Sequence, residues 1–316
     1  MIAHGRRREA LWGWFFLAPF AVLFSLTFLV PIGASIWASM FRRVSTGGGL
    51  YGGGEVVDRF VGVDNYATAL SNEALWRGLG RVLLFGSFQI PIMIGGALVL
   101  ALLLDTYVLR RVAPVLRLTY FLPYAIPGVI AALVWTYLYT PGMSPFTRGL
   151  AWLSGVINDT FGTDLDLTIN FFSSNIILAS MANMTTWTFM GYNMLIFLAA
   201  LQAIPHDLYE AARIDGAGEW RIVRSVKIPM LSSAALLAVL LSIIGTVQLF
   251  NEPVVLQAVN PWMGNAYTPM MMAYYTMMGG LSPSGDGPAS AISVIMAVVA
   301  GLLAAIYAFA QRKVQR

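Results

Sequence analysis

Six polar or aromatic residues within apolar stretches have the types and spacing to bind a small solute. Asn183 and Trp187 are four residues apart, which places them on one face of a helix. The others lie further along the chain: Asn193, Gln248, Asn251 and Glu252. Amides and carboxylates hydrogen-bond hydroxyl groups, and an aromatic face stacks on the apolar face of a sugar ring. The set predicts a site for a hydroxyl-rich solute, with polar contacts that merely join helices as the alternative.

No residue pattern for covalent chemistry accompanies this set. Neither lysine, Lys227 or Lys313, belongs to a Gly-x-x-x-x-Gly-Lys-Ser/Thr phosphate-binding loop. The two histidines, His4 and His206, are far apart, and the chain has no cysteine. We therefore expect no catalytic residue, no metal site and no cofactor in this chain.

Membrane-spanning helices must position the candidate residues. Apolar residues make up 58 % of the chain and charged residues 11 %, whereas an ordinary soluble domain has about 25 % charged residues. Six stretches are long enough to cross about 30 Å of hydrocarbon as helices. They lie near Leu11–Ala38, Val82–Leu104, Leu118–Tyr139, Ile176–Ile204, Met230–Phe250 and Ala289–Ala310. The sequence thus predicts an all-α polytopic membrane protein, with spans interrupted by Pro19, Pro31, Pro91, Pro123 and Pro127.

The basic residues predict the orientation of the chain. Most of the 19 lie at the termini and in alternate connections, at positions 6–8, 110, 111, 117, 213, 221, 224, 227, 312, 313 and 316. The positive-inside rule then places both termini and the connection around residue 213 in the cytoplasm. Arg42 and Arg43, near the predicted outer end of the first span, oppose this assignment.

A compact polar segment between the fourth and fifth predicted spans has the pattern of a docking element. Pro205 can open a helix, and Glu210-Ala-Ala supplies a patch of small residues. Gly216 permits a tight turn before a second amphipathic helix that ends near Pro229. The acids and bases of this segment balance, which disfavours the alternative of a helix lying on a lipid surface.

This segment closely resembles the EAA loop of ATP-binding-cassette (ABC) importer permeases, whose pattern is Glu-Ala-Ala, three residues, Gly, nine residues, Ile-x-Leu-Pro. Five residues match in spacing: Glu210, Ala211, Ala212, Gly216 and Pro229. Val226 and Ile228 are conservative departures. The resemblance implies a type I ABC importer permease fold. It also implies that Glu210, Ala211, Ala212, Asp215 and Gly216 couple the chain to an ATPase.

Two further segments resemble the carbohydrate-uptake permeases of the maltose or glycerol-3-phosphate kind. They are Phe60-Val-Gly-Val-Asp-Asn-Tyr66 and Phe250-Asn-Glu-Pro253. The resemblance implies a second permease subunit, two cytoplasmic subunits that bind ATP and magnesium, and an extracytoplasmic solute-binding protein. The lipid bilayer is a further partner, and nucleic acid is not expected. The host membrane would be the cell membrane of a bacterium or archaeon.

Three questions stay open at this point. The solute is a sugar by resemblance, but an ABC permease for a peptide, amino acid or ion would carry a similar loop, and an ion-coupled secondary transporter is a second class. Arg81 either reaches the outer interface or lines the translocation cavity. We divide the chain into residues 1–75, with the tail, first span and outer loop, and a core of residues 76–316 containing the coupling loop 205–229.

Overall fold

A computed structural model describes residues 2–46, 55–106 and 111–314. Its main helices are α1 Ile2–Phe24, α2 Val30–Ala38, α3 Asp64–Ser71, α4 Glu73–Leu104, α5 Ala113–Phe121, α6 Gly128–Tyr139, α7 Pro145–Phe161, α8 Ile177–Gln202, α9 His206–Ile214, α10 Glu219–Ile222, α11 Ile228–Met230, α12 Ser232–Val247, α13 Asn251–Gln257, α14 Pro269–Met277 and α15 Asp286–Val314. Short π-helical segments join α1 to α2 (Ser25–Leu29) and α10 to α11 (Val223–Lys227), and a 3₁₀ turn, Leu122–Ala125, follows α5. Arg110 and Arg316, which entered the orientation prediction, lie outside the described residues.

The predicted six-span helical fold is confirmed, with two spans interrupted: the third, which is sharply bent, and the fifth, between α12 and α13. Five helical segments of the described chain are long and apolar enough to cross a membrane: Trp12–Ala38, Glu73–Leu104, Ile177–Gln202, Ser232–Gln257 and Asp286–Gln311. The third predicted span is instead the pair Ala113–Ala125 and Gly128–Tyr139, bent by 99°. Pro127 causes the break, since proline has no backbone N–H and disfavours a helical conformation at the residue before it.

One pair of strands departs from the all-helical prediction. Strand β1, Phe41–Thr46, pairs antiparallel with β2, Glu55–Phe60, in the register Phe41 opposite Phe60 and Arg43 opposite Asp58. Residues 47–54, the Gly-rich part of this connection, lie outside the described residues. The strands extend the chain beyond the first span as a hairpin, which the span pattern alone does not reveal.

Contacts within the chain group into two units, each described here by itself. The first comprises Met1–Leu75 with Met272–Ala297, and the second Trp76–Met271 with Val298–Arg316. The predicted division at residue 75 remains a prediction about domain organisation. All the candidate solute residues and the coupling loop belong to the second unit.

In the first unit, the Gly-x-x-Asn-Tyr segment ties the hairpin to the end of the first span. Gly62 has φ +57°, a conformation that side chains disfavour. The Asn65 amide donates to the carbonyls of Ser39 and Phe41 at 2.8 and 2.7 Å, and its oxygen accepts from Arg42 at 2.8 Å. The Asn65 side chain is buried, which shields its amide group from water. The segment therefore has a structural role that accounts for its residue types.

Arg42 and Arg43, the two residues that opposed the orientation, both form ion pairs in the first unit. Arg42 contacts Asp64 at 3.0 Å. Arg43 contacts Asp286 at 2.7 Å and Asp58 at 3.8 Å. These pairs hold both arginine side chains against carboxylates of the first unit.

Helix α8 is the centre of the second unit. Half of its most apolar window is buried within the chain, against none for Trp12–Ala38. Gly191 of α8 lies against the Tyr120 backbone carbonyl of α5, a contact that leaves no room for a side chain. A cluster of small and apolar residues then packs α8 against α4, α5 and α12: Ala97, Ala101, Leu104, Ala113, Met194, Phe197, Leu198, Leu201, Leu231 and Ala238. This core supports both regions described next.

Candidate functional site

A cavity of about 510 Å³ lies in the second unit, lined by α4, α8, α12 and the two helix breaks. Ile126 and Gly128 border it at the break between α5 and α6, and Gln248–Phe250 border it at the break between α12 and α13. Non-helical backbone at membrane depth is tolerated where it is covered by protein or lines a cavity. The two interrupted spans therefore meet at one place, as expected of a solute-binding cavity.

Amides and hydroxyls provide most of the polar lining. Gln89 is buried, and its amide nitrogen donates a hydrogen bond to the Met93 sulfur at 3.3 Å. This contact fixes the orientation of the amide in the cavity wall. The Asn193 amide donates to the Phe189 carbonyl at 3.0 Å. The remaining polar lining residues are Thr185, Thr188, Ser242, Thr246, Gln248, Asn251 and Glu252. Such groups both donate to and accept from solute hydroxyls.

Aromatic rings form another part of the wall. Tyr124 and Tyr192 stack with their centroids 4.7 Å apart and an interplanar angle of 16°. Phe189 meets Tyr124 edge to face at 5.9 Å. All three line the cavity. Amphipathic rings of this kind offer apolar contact with a polar handle.

The structure divides the six predicted solute residues into two groups. Asn193, Gln248, Asn251 and Glu252 line the cavity. Asn183 and Trp187 do not: the Asn183 amide donates to the Tyr139 hydroxyl at 2.8 Å, and Trp187 contacts Trp135 with centroids 5.7 Å apart. The spacing of Asn183 and Trp187 was read correctly as one helix face, but α6 lies against that face. A solute-binding role for the four lining residues remains a prediction, whereas the contacts of Asn183 and Trp187 fit the alternative of joining helices.

Several lining residues were missed in the sequence. Gln89 is an uncharged polar residue inside a predicted span, so the criterion that selected Asn183 applies to it equally. Tyr124 follows Pro123 directly, and its place in the wall depends on the sharp bend after it. Thr185 and Thr188 gave no signal, because threonine in an apolar helix commonly bonds its own backbone, as both residues do.

Arg81 does not line the cavity. Its guanidinium donates to the Tyr267 carbonyl at 3.1 Å and lies 4.5 Å from the centroid of the Tyr267 ring. A cation over an aromatic face is attracted by the ring's quadrupole. The cavity-lining role left open by the sequence is not observed, and the contacts instead tie Arg81 to the segment before α14.

The coupling loop forms two short helices joined by a tight turn. Helix α9 ends in a glycine cap: Gly216 has φ +75°, the Ala217 amide donates to the Ala212 carbonyl at 2.9 Å, and Gly216 donates to Arg213 at 3.0 Å. Arg213 also reaches Glu219 of α10 at 3.0 Å. The turn predicted at Gly216 is therefore present.

The coupling loop exposes two large apolar side chains to water. Ile214 is 86 % exposed and Trp220 is 77 % exposed. They stand among the charged residues Glu210, Arg213 and Glu219, which are also exposed. Large apolar groups rimmed by polar ones are typical of protein interaction surfaces.

A cleft of about 960 Å³ separates the loop from the ends of α4 and α5. At its base Lys227 contacts Asp105 at 2.6 Å, with side chains 11 % and 22 % exposed. Tyr209 of α9 lies over this pair, its ring centroid 5.5 Å from the lysine nitrogen. Burial, followed by the charge of Asp105, raises the pKa of the Tyr209 hydroxyl, which therefore stays protonated. The pair joins the loop to the helix that carries Gln89.

The chain belongs to the family of binding-protein-dependent transport system inner membrane components, whose model matches residues 93–316. It is similar to the lactose transport system permease protein of Rhizobium radiobacter, with 30 % identity over 302 residues and 95 % of each chain covered. It is also similar to the sn-glycerol-3-phosphate transport system permease protein of Yersinia pseudotuberculosis, with 29 % identity over 300 residues, 94 % of this chain and 93 % of that protein.

A solved structure shares the fold over the whole chain. It is described as a bacterial alginate ABC transporter in complex with an alginate pentasaccharide-bound periplasmic protein. The match has a TM-score of 0.75 and covers 100 % of this chain and 98 % of that one, at 18 % identity. The type I permease fold predicted from the loop is confirmed, and the chain is a multi-pass membrane protein.

Proposed function

We propose that this chain is one permease subunit of an ABC importer that takes up a sugar or sugar-like solute. The observation that carries the proposal is the meeting of two broken spans at one cavity lined by amides, hydroxyls and stacked tyrosines. Asn193, Gln248, Asn251 and Glu252 would contact the solute, together with Gln89 and Tyr192. The lactose permease among the relatives supports the same class of solute.

The partners follow from the class of transporter. This chain would pair with a second homologous permease, and an extracytoplasmic binding protein would deliver the solute. Two ATPase subunits would bind ATP and magnesium, and this chain would perform no covalent chemistry. Exposed Ile214 and Trp220 support docking at the coupling loop, since burying them against a partner removes large apolar groups from water.

The loop and both termini would lie in the cytoplasm of a bacterial or archaeal cell. The distribution of basic residues supports this orientation.

Movement of the docked loop would reach the cavity through α4. Glu210, Ala211, Ala212, Asp215 and Gly216 would meet the ATPase. The Lys227–Asp105 pair then connects the loop to the end of α4. Three turns of tight packing around Ala97 and Ala101 separate that end from Met93 and Gln89. Closure of the ATPase dimer would thus shift the balance between states with different affinity for the solute.

Reconstitution of the complete importer in proteoliposomes tests this function. Asn251→Ala should raise the solute concentration needed for half-maximal uptake about tenfold, the effect of losing roughly 1.4 kcal/mol of binding. Asn183→Ala is the matched control, because it removes the same amide from outside the cavity and should leave that concentration unchanged. Equal effects of the two variants would contradict the assignment of the cavity.

The same experiment separates the other classes of transporter. Uptake that continues without ATP and responds to an ion gradient would indicate a secondary transporter. ATP-driven uptake of a peptide, an amino acid or an ion, with sugars ineffective, would indicate an ABC permease for a different solute.

A further inference from the structure

We propose that Gly128 is a positioning residue for the solute: because it has no side chain, it leaves the space in which the Asn251 amide lies at the cavity wall. This inference rests on the proposed function and adds a residue that acts through another. Gly128 is the first residue of α6, directly after the break at Pro127, and Asn251 is the first residue of α13, directly after the other break. Both residues line the cavity.

The contact between the two residues leaves no room for a methyl group. A Cβ at position 128 would lie 2.7 Å from the amide nitrogen of Asn251, 3.5 Å from its Cγ and 3.9 Å from its Cβ. Non-bonded carbon atoms are most favourably about 3.5–4.0 Å apart, so the shortest of these distances is a clash. The Asn251 side chain thus occupies the space that a side chain at position 128 would need.

Backbone conformation does not explain this glycine. Gly128 lies in the first turn of a regular helix, and it is not among the described glycines with positive φ. Alanine is the stronger helix former, so conformation alone would favour alanine here. What glycine provides at this position is space.

A methyl group at position 128 should displace the Asn251 side chain and not the helices. Ala131 and Ala132 of α6 are buried, as is Pro253 of α13, which fixes both backbones. Asn251 is exposed at the cavity, and its side-chain amide forms no hydrogen bond within the part of the chain that the structure describes. The side chain can therefore rotate, and rotation would carry its donor and acceptor groups away from the solute.

The unbonded amide is also what suits Asn251 to a solute. The amide of Asn193, in the same lining, already donates to the Phe189 carbonyl at 3.0 Å. Asn251 keeps both its amide hydrogens and its oxygen for solute hydroxyls. The position of this one amide should therefore have a measurable effect on affinity.

A double-mutant cycle tests the proposal. Binding is measured by equilibrium dialysis on the purified complex of permeases and ATPase, without the binding protein, so that only the membrane site is titrated. The probes are lactose, maltose and glucose, and the sugar that wild type binds most tightly is used for every variant. Asn251→Ala should weaken binding about tenfold and Gly128→Ala about fivefold. Once residue 251 is alanine, Gly128→Ala should weaken binding no further, because the side chain it displaces is gone.

A control separates positioning from a general effect on folding. Gly95→Ala makes the same change in α4, where a Cβ meets nothing within 4 Å and the residue lies outside the cavity lining. It should bind as wild type does. Gly128→Ala should keep the wild-type thermal unfolding midpoint and basal ATP hydrolysis, because only one exposed side chain moves.

A disulfide tests the geometry without any solute. The two Cβ positions are 3.9 Å apart, close to the roughly 3.8 Å typical of a disulfide. The chain has no cysteine of its own. The double variant Gly128→Cys/Asn251→Cys should therefore lose both thiols to maleimide labelling after mild oxidation, whereas each single variant should stay reactive.

The possible failures are distinct. Wild-type affinity in Gly128→Ala, an equal loss in both residue-251 backgrounds, a lowered unfolding midpoint or the absence of the disulfide would each overturn the positioning role while leaving sugar transport intact. Unchanged binding in Asn251→Ala, or binding of none of the three sugars at high millimolar concentration by a complex with active ATPase, would contradict the proposed function and the positioning role with it.

Discussion

The cavity and the cleft beside the coupling loop share one helix bundle but differ in charge. The cavity has one carboxylate among amides, hydroxyls and rings. The cleft is lined by seven ionisable side chains: Asp105, Arg117, His206, Tyr209, Arg213, Glu219 and Lys227. Helix α4 contributes to both, through Gln89 and Met93 near its middle and Asp105 just past its C-terminal end.

The difference shows how charge is distributed along a coupling path. Charges are costly at membrane depth but inexpensive where water or a protein partner meets the bundle. The cleft can therefore use an ion pair to join the loop to α4, whereas the cavity is lined mainly by neutral polar and aromatic groups. Four variants test whether the two regions depend on each other in this way.

The largest effect is expected at Gly191, because both regions depend on the packing of α5 against α8. In Gly191→Val the new side chain would overlap the Tyr120 backbone carbonyl. Backbone cannot move aside as a side chain can, so we expect a loss of more than about 4 kcal/mol and little folded protein. Size-exclusion profiles of the purified chain measure this. Gly95→Val is the control, since a Cβ there meets nothing within 4 Å, and a normal profile for Gly191→Val would contradict the packing.

The next largest effect is expected at the Lys227–Asp105 ion pair of the cleft, a kind of contact not found in the cavity lining. Lys227→Met leaves the partly buried Asp105 carboxylate without its partner, which should cost about 1–3 kcal/mol of stability. The thermal unfolding midpoint and the ATP hydrolysed per solute transported measure the two consequences. We expect a lower midpoint and ATP hydrolysis that no longer drives uptake.

The double variant Asp105→Leu/Lys227→Met sharpens this prediction. Because the double variant leaves no unpaired charge, its thermal unfolding midpoint should return towards the wild-type value. The ATP hydrolysed per solute transported should stay high, because no ion pair joins the loop to α4. Restoration of normal coupling in the double variant would show that the pair is structural only.

A smaller effect is expected at the loop's turn. Gly216 has φ +75°, so Gly216→Val should strain the turn by about 1–2 kcal/mol and weaken ATPase binding without disturbing the spans. The amount of ATPase copurified with the chain measures this. Gly218→Val is the matched control, because Gly218 has φ −70° and open space around it. Wild-type copurification and uptake in Gly216→Val would contradict a docking role for this turn.

The sequence was more informative about the loop than about the cavity, for a physical reason. The loop's turn is local: glycine spacing and the helix cap are contained within a dozen residues, and the structure places them as predicted. Whether a residue lines the cavity depends on which neighbouring helix packs against its face of the helix. The i, i+4 pattern of Asn183 and Trp187 gives their shared face, but only the packing of α6 shows that Tyr139 and Trp135 occupy it.

The broken spans show the same limit. Pro127 indicated an interruption, but a proline gives no direction or size for the bend, and the 99° angle arises from the packing of both halves against α8. The β1–β2 hairpin was missed because its six-residue strands flank a Gly-rich connection and lack a long alternating pattern. Six spans and the coupling loop were recoverable because hydropathy and turn chemistry do not need tertiary structure.

Accessibility of Ala217, at the turn of the coupling loop, tests the central claim most directly. The chain has no cysteine, so Ala217→Cys provides a single site for a membrane-impermeant thiol reagent. We predict no labelling in intact cells, labelling in inside-out vesicles stripped of ATPase, and protection when the ATPase is added back. Ser282→Cys is the control that should react from outside intact cells. Labelling of Ala217→Cys in intact cells, or unchanged labelling after ATPase is added, would contradict the account of a cytoplasmic docking loop.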